Sequence, residues 1–314
     1  MSSVDLTTEL AGITLRNPIL TCSGTYGFGE EYAAYCPLEA LGGITLKGIT
    51  PLPRLGNPVP RLAETPAGLL NAVGLENPGL EEFLNSYLPK VRKLPTAVIA
   101  NISGFSLEDY TQMARELQRD SGLVALEVNI SCPNVKHGGM HFGTDPQSAQ
   151  EVIAAVKAET DLPIIAKLSP NVTDIVEMAR AVQLGGADAV SLINTLLGMC
   201  IDLDRQRPIL ANTFGGLSGP AIRPVAVRMV WQVSQAIDLP IIGMGGITTW
   251  QDALEFLLAG ATAVSVGTGN FVNPQAPLEI LQGIQDYCNK HGIASVRDLV
   301  GLAHKSSANI EHKV

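Results

Sequence analysis

The sequence predicts an α/β chain folded as a (β/α)8 TIM barrel, and three observations carry that expectation. Short apolar runs recur along the chain and are apolar throughout rather than alternating, as strands buried on both faces of a parallel sheet are. Nearly every run is followed by a helical stretch, and repeated βα units with right-handed crossovers close most naturally into a barrel. The main rival, an open doubly wound sheet, normally carries a glycine fingerprint after its first strand, and no G-x-G-x-x-G occurs in the 314 residues.

Taken in order, residues 6–10 and 13–15, split by Ala11-Gly12, form an N-terminal hairpin. Residues 18–22 are the first buried strand. It ends in Ser23-Gly24-Thr25-Tyr26-Gly27-Phe28-Gly29, where glycine lets backbone approach a ligand; an ordinary βα loop is the plain alternative. Residues 43–48 are the second strand, with Lys47 at its C-terminal end. Residues 50–78 break the pattern, because Pro51, Pro53, Pro58, Pro60, Pro66 and Pro78 cannot sit in a helix interior. This loop-rich excursion should hold a small hairpin, and it contains Asn71-Ala72-Val73-Gly74-Leu75. Long ordered loops in compact enzymes usually serve as functional covers. A helix follows at 80–91, and from there strands (96–101, 123–129, 162–168, 187–194, 239–243, 261–266) alternate with helices (107–119, 146–159, 174–184, 220–237, 250–258, 278–289). A second excursion, ending in Phe214-Gly215-Gly216-Leu217-Ser218-Gly219, interrupts the alternation after residue 194. Both excursions leave from the C-terminal face of the barrel.

Length alone suggests two domains, but a single barrel with insertions reaches this size, so one domain over 1–314 is expected. A hydrophobic fraction of 46% against 16% charged residues fits a large core. A net charge of −9, with Lys and Arg scattered, argues against a nucleic-acid surface. The N-terminus lacks the pattern of a signal peptide and no apolar run is long enough to span a bilayer, so a soluble, cytoplasmic protein with no membrane partner is expected. Five cysteines, Cys22, Cys36, Cys132, Cys200 and Cys288, form no C-x-x-C; reduced thiols are the natural state, with neither a zinc knuckle nor an iron–sulfur cluster, and no metal site, in this chain.

In a barrel of this kind, chemistry is done where strands end at the C-terminal face. Those ends carry Ser23-Gly24, Lys47-Gly48, Asn101, Asn129, Lys167, Asn194-Thr195, Gly245-Gly246 and Gly267-Thr268. Helix capping would explain Thr195 or Thr268. It does not explain Lys47 and Lys167, since a lysine in a barrel mouth is costly to desolvate unless it meets an anion. The glycine pairs after the seventh and eighth strands expose backbone N–H groups at helix starts, the habitual phosphate site of this fold. Two lysines and two amides beside a phosphate suit a flat hydrogen-bonding ring that becomes anionic, and reduced flavin is such a ring. Cys132 closes the strand segment Glu127-Val128-Asn129-Ile130-Ser131-Cys132-Pro133-Asn134 and would act as acid–base residue across the substrate; a small buried hydrophobe is its structural alternative.

The motifs Val128-Asn129-Ile130-Ser131-Cys132-Pro133-Asn134, Thr45-Leu46-Lys47-Gly48 and Asn71-Ala72-Val73-Gly74-Leu75, with the two glycine pairs, resemble the class 1 dihydroorotate dehydrogenases over nearly the whole chain. The likeness is greatest to the FMN catalytic subunit of the NAD-linked class 1B enzymes, through the Lys47-Gly48 context and Tyr26-Gly27-Phe28-Gly29-Glu30-Glu31-Tyr32. The resemblance implies oxidation of (S)-dihydroorotate to orotate in de novo pyrimidine (UMP) biosynthesis. It makes Cys132 the base that takes the C5 proton, with the C6 hydride passing to FMN. It implies substrate contacts at Lys47, Asn71, Asn129, Asn134, Asn194 and Thr195, with Ala72, Val73, Gly74 and Leu75 in the same pocket. FMN contacts would be Ser23, Lys47, Gly48, Asn101, Asn129, Lys167, Ile193, Gly219, Gly245, Gly246, Gly267 and Thr268. It further implies a heterotetramer, a homodimer of this chain with an electron-transfer subunit that carries FAD and a [2Fe-2S] cluster and passes electrons to NAD. The nearest rival is the class 1A, fumarate-reducing homodimer. Class 2 enzymes use serine as base and carry a membrane-associating extension, and this chain shows neither; dihydropyrimidine dehydrogenases share Ser-Cys-Pro but carry further iron–sulfur cysteines. Outside this chemistry, Lys167 could serve a Schiff-base aldolase, or the chain could be a non-catalytic flavin carrier.

Overall fold

A computed structural model describes residues 4–131 and 143–308. The chain opens with the hairpin β1 (Thr8–Leu10) and β2 (Ile13–Leu15), turning through Ala11 and Gly12, both at positive φ. β3 (Ile19–Thr21) and β4 (Gly43–Thr45) begin the barrel, and the first excursion holds the hairpin β5 (Leu62–Thr65) and β6 (Gly68–Asn71). The helix expected at 80–91 is present but not uniform. α1 (Leu80–Glu82) passes through a π-turn at Phe83–Tyr87 into α2 (Leu88–Val91). Pro89 has no N–H to give and its ring crowds the preceding turn, which accounts for the widened turn just ahead of it.

The alternation then runs β7 (Ala97–Ile102), α3 (Leu107–Glu116), β8 (Ala125–Asn129), α4 (Pro146–Lys157), β9 (Ile164–Lys167), α5 (Ile175–Leu184) and β10 (Ala189–Leu192). The second excursion contributes β11 (Leu196–Gly198), β12 (Ile201–Asp202), β13 (Arg207–Pro208) and β14 (Gly215–Ser218). α6 (Arg223–Ser234), β15 (Ile241–Met244), α7 (Trp250–Leu258), β16 (Ala263–Val266), α8 (Gly269–Val272), α9 (Ala276–His291) and α10 (Leu302–Ala308) complete the chain. The short α8 and the terminal α10 are additions to the sequence expectation. Ser106, Asp145, Asp174 and Thr249 each accept a first-turn backbone N–H, which starts α3, α4, α5 and α7 sharply after their loops.

The barrel closes in the order β3-β4-β7-β8-β9-β10-β15-β16 and back to β3, all parallel. Because side chains alternate along a strand, every second residue points inward. One inward layer is apolar: Leu20, Ile99, Ala125, Ile165, Ala189, Ile242 and Ala263 pack together, with Leu10 and Leu15 of the hairpin stoppering that end. Two residues further along each strand stand Cys22, Asn101, Glu127, Lys167, Ser191, Met244 and Ser265. The interior thus changes from hydrocarbon to largely polar within one layer, with Met244 and Cys22 still joining the apolar cluster.

The sequence shows two excursions at the C-terminal face without showing that they pair. They are one antiparallel sheet in the order β11-β14-β6-β5, with β14 paired to β6 at Gly216 opposite Asn71. This sheet roofs the C-terminal face.

Candidate active site

Between the polar layer and the roof lies a cavity of ≈ 750 Å3. Every described residue that the sequence singles out lines it. Ser23 comes from the loop after β3, Lys47 and Gly48 from the end of β4, and Asn71, Ala72, Val73, Gly74 and Leu75 from the roof hairpin. Asn101, Asn129 and Lys167 stand at the ends of β7, β8 and β9. Ile193, Asn194 and Thr195 follow β10, Gly219 follows β14, and Gly245, Gly246, Gly267 and Thr268 follow β15 and β16. Cys132 and Asn134 lie outside the described residues, as do Pro133 and residues 137–142.

The lysines sit differently. Lys167 does have its anion, but that anion is Glu127 of the neighbouring strand, at 3.4 Å with both side chains buried. The cost of desolvating Lys167 is thus offset within the protein, while its side chain still lines the cavity. Asn129 is registered opposite Lys167, which puts Glu127 one inward position lower. The same carboxylate accepts from Asn101 Nδ2 at 2.6 Å and from Ser191 Oγ at 2.8 Å. Lys167 is thus held in an ion pair, unlike the free amine a Schiff-base nucleophile presents. Lys47, by contrast, has no ion-pair or hydrogen-bond partner for its ammonium among the described residues, and burial pushes it below its ordinary value of 10.5, with Glu76 opposing and Arg61 adding to the shift. Lys47 is the cation that a bound anion would satisfy.

Asn129, Ser131 and Asn194 form a chain of polar contacts immediately before Cys132. Ser131 donates from its backbone to Asn129 Oδ1 at 3.3 Å, Asn194 Nδ2 donates to Ser131 Oγ, and Asn129 Nδ2 donates to Ser103 Oγ at 3.1 Å. Asn129 and Asn194 are thereby fixed in orientation with cavity-facing surface remaining. In the roof, Asn71 donates to Gly216 O at 3.3 Å, and Asn57 donates to Ala72 O at 2.9 Å. Gly216 is forced by close approach, since a Cβ there would lie 2.1 Å from Thr195 Oγ1.

The loops after β15 and β16 fit a phosphate. Gly246 has φ +78°, and a Cβ on it would meet Gly219 O at 2.7 Å, so bare backbone is the surface offered there. Thr268 Oγ1 donates to Ser218 Oγ at 2.7 Å and ties the last barrel strand to the roof. After β4, a Cβ on Gly48 would stand 2.7 Å from Asn101 Oδ1, so a flat group can lie against backbone there as well. Bare glycine backbone at one end, two lysines and amides of both polarities at the other, form a donor set that fits FMN. Cys22 also borders the cavity, but burial pushes its thiol up, as expected of a packed hydrophobe.

Glu127, Ser131, Ser191, Ser218 and Asn57 escape the sequence reading as site residues. Glu127 carried a signal: a lone acid in an apolar strand, two residues before Asn129 and so on the same face. Asn57 and Ser218 carried none, since the contact of Asn57 with Ala72 depends on how the first excursion folds back on itself and that of Ser218 with Leu69 on the pairing of the two excursions.

The family model described as dihydroorotate dehydrogenase matches residues 5–288. The dihydroorotate dehydrogenase B (NAD(+)) catalytic subunit of Geotalea daltonii is 57% identical over 301 residues, 96% of this chain and 99% of its own length. Proteins of the same name from Desulforamulus reducens and Geobacter sulfurreducens are 56% and 55% identical, again over 96% of this chain and 99% of theirs. No helix of the described residues is long and apolar enough to cross a membrane.

Proposed function

The chain belongs to the dihydroorotate dehydrogenase family, and from that premise we propose that it is the FMN-bearing catalytic subunit of a class 1B dihydroorotate dehydrogenase acting in the cytoplasm. The observation that carries this reading is the convergence of Ser23, Lys47, Asn71, Asn101, Asn129, Lys167, Asn194 and the two glycine loops, spread over most of the chain, on one cavity.

Bound FMN supplies the acceptor for the hydride that leaves C6 of dihydroorotate. The chain's own residues do the rest. Cys132, as thiolate, takes the C5 proton, so the C5–H and C6–H bonds break and the C5=C6 bond of orotate forms. Lys47, desolvated and without a partner among the described residues, meets the substrate carboxylate, while Asn71, Asn129, Asn194 and Thr195 orient the ring and Ala72, Val73, Gly74 and Leu75 exclude water above it. The amide of Asn134 completes the substrate contacts. Ser23, Gly48, Asn101, Lys167, Ile193 and Gly219 hold the flavin ring and its chain, and Gly245, Gly246, Gly267 and Thr268 hold its phosphate. Cations near the ring stabilise the negative charge that develops there on reduction.

The relatives' names specify NAD and a catalytic subunit, and this chain has no dinucleotide fingerprint. Those facts support a second subunit carrying FAD and a [2Fe-2S] cluster, two copies of each chain forming the heterotetramer.

The test is anaerobic stopped-flow bleaching of the flavin by dihydroorotate across a pH series, for the wild type and Cys132→Ser. Loss of a positioned general base typically costs about 10²–10⁴-fold. The variant should stay yellow, bleach that much more slowly, and still pass electrons from chemically reduced FMN to an artificial acceptor. Wild-type bleaching should quicken as pH rises toward the thiol pKa, about 8.5 for a free cysteine. A colourless protein, or a variant bleached at the wild-type rate, would remove the assignment. The isolated chain should not reduce NAD, and rapid turnover with fumarate would place it in class 1A instead.

A further inference from the structure

We propose that Glu127 is a positioning residue for the flavin, acting from beneath the cavity through Lys167 and Asn101; the inference rests on the reading of the cavity as an FMN site. Glu127 is 1% exposed and does not line the cavity, whereas Lys167 and Asn101 do. Its carboxylate is fully engaged: Oε2 takes Asn101 Nδ2 at 2.6 Å and Lys167 Nζ at 3.4 Å, and Oε1 takes Ser191 Oγ at 2.8 Å.

Stability gives little reason to place this group here. A buried ion pair is commonly no better than well-packed hydrocarbon of the same volume. The layer directly beneath, from Leu20 round to Ala263, shows that this barrel can be filled with apolar side chains.

Two consequences follow from the geometry. A carboxylate only accepts, so Asn101 must turn its NH2 toward Glu127. That leaves Asn101 Oδ1 toward Gly48, where a Cβ would sit 2.7 Å from it, so an acceptor rather than a donor is offered at that wall. Secondly, Glu127 lies on the side of Lys167 away from the cavity, so the pair acts as a dipole with its positive end toward the ligand. Reduction of the flavin then meets an oriented but compensated charge. Glu127 sets how strongly Lys167 favours the reduced, anionic ring.

The test uses purified wild type, Glu127→Gln and the double variant Glu127→Gln/Lys167→Met. Each apoprotein is titrated with FMN, its thermal midpoint is recorded, and the flavin midpoint potential is measured by spectroelectrochemistry. A charge within a few ångströms shifts a charge-forming equilibrium by roughly tenfold or more. In Glu127→Gln the uncompensated ammonium should move the oxidised–reduced equilibrium toward reduced flavin by about tenfold, which is about 30 mV for a two-electron couple. The double variant, which buries neither charge and so folds even if the single one does not, should move it the other way, below the wild type. Midpoint potentials equal to wild type in whichever variants fold and bind FMN would leave Glu127 as a filler of the barrel and overturn the inference. A wild-type chain that takes up no FMN would instead overturn the reading of the cavity, and the inference with it.

Discussion

Lys47 and Lys167 stand at the ends of two barrel strands and line the same cavity, but among the described residues one has no partner and the other is held. Lys167 belongs to the floor, where parallel strands in strict register bring Glu127, Asn101 and Ser191 around it before any ligand arrives. Lys47 lines the cavity, desolvated by burial and with no partner among the described residues. The difference teaches that position at a strand end does not by itself say whether a buried charge is architecture or bait. The partner on the next strand decides.

The largest expected effect would break the contrast if it failed. Lys167→Met strands the Glu127 carboxylate, and removing one partner of a buried pair costs about 3–5 kcal/mol. Urea unfolding of the apoprotein should show that loss for Lys167→Met and none for Lys47→Met. Equal losses would mean the two lysines are held alike.

Ligand affinity should reverse the ranking among the lysines. A hydrogen bond to a charged group contributes about 1.5–3 kcal/mol. Calorimetric titration with orotate should therefore weaken by roughly 10- to 150-fold in Lys47→Met. An unchanged affinity would remove Lys47 from the substrate contacts.

A smaller effect follows from acidity. Burial lowers the Lys47 pKa below 10.5 in the free protein. Between that lowered value and 10.5 the unfolded chain binds more protons than the folded one, so the contribution of Lys47 to stability rises with pH across that window. An anion reverses the preference by holding the ammonium. Orotate affinity should thus fall by up to about tenfold per pH unit once pH exceeds the lowered value, with one proton taken up per ligand bound. Absence of proton uptake in paired buffers, with the slope still present, would assign the dependence to another group.

The smallest effect belongs to the roof. Asn57→Ala removes the 2.9 Å hydrogen bond to Ala72 O that fastens the hairpin. A net cost of about 1 kcal/mol is expected for such a bond. It should appear in orotate affinity, with the unfolding midpoint of the barrel little changed.

How much of this the sequence discloses follows from the same contrast. The floor is legible because β7, β8, β9 and β10 are buried on both sides and mostly apolar, so the few polar residues in them, Asn101, Glu127, Asn129, Lys167 and Ser191, are conspicuous. The Glu127–Lys167 pair was half legible. The odd acid in β8 is visible in the sequence, but its partner stands 40 residues away and becomes its neighbour only through strand order. The roof was legible as covers and as a local hairpin, but not as one sheet. Its strands are three or four residues long, and Gly216 brings no side chain to announce the pairing with β6. The π-turn before Pro89 was within reach, because a proline late in an expected helix must disturb it. Cys132 and Asn134 remain readings of the sequence motif alone.

The pairing of β3 with β16 and of β6 with β14 has a consequence for the order in which the protein comes into being. The ring of strands cannot close on a partial chain, since β3 at Ile19–Thr21 must wait for Ala263–Val266, and Asp5 for its ion pair with Arg297; the roof, complete at Ser218, has no closed barrel to cover until then. Contacts so distant along the chain form late and slowly. Until β16 is made, β3 has no partner on that side and the row of strands stays open. Any ligand of the cavity has to be acquired after synthesis is essentially complete.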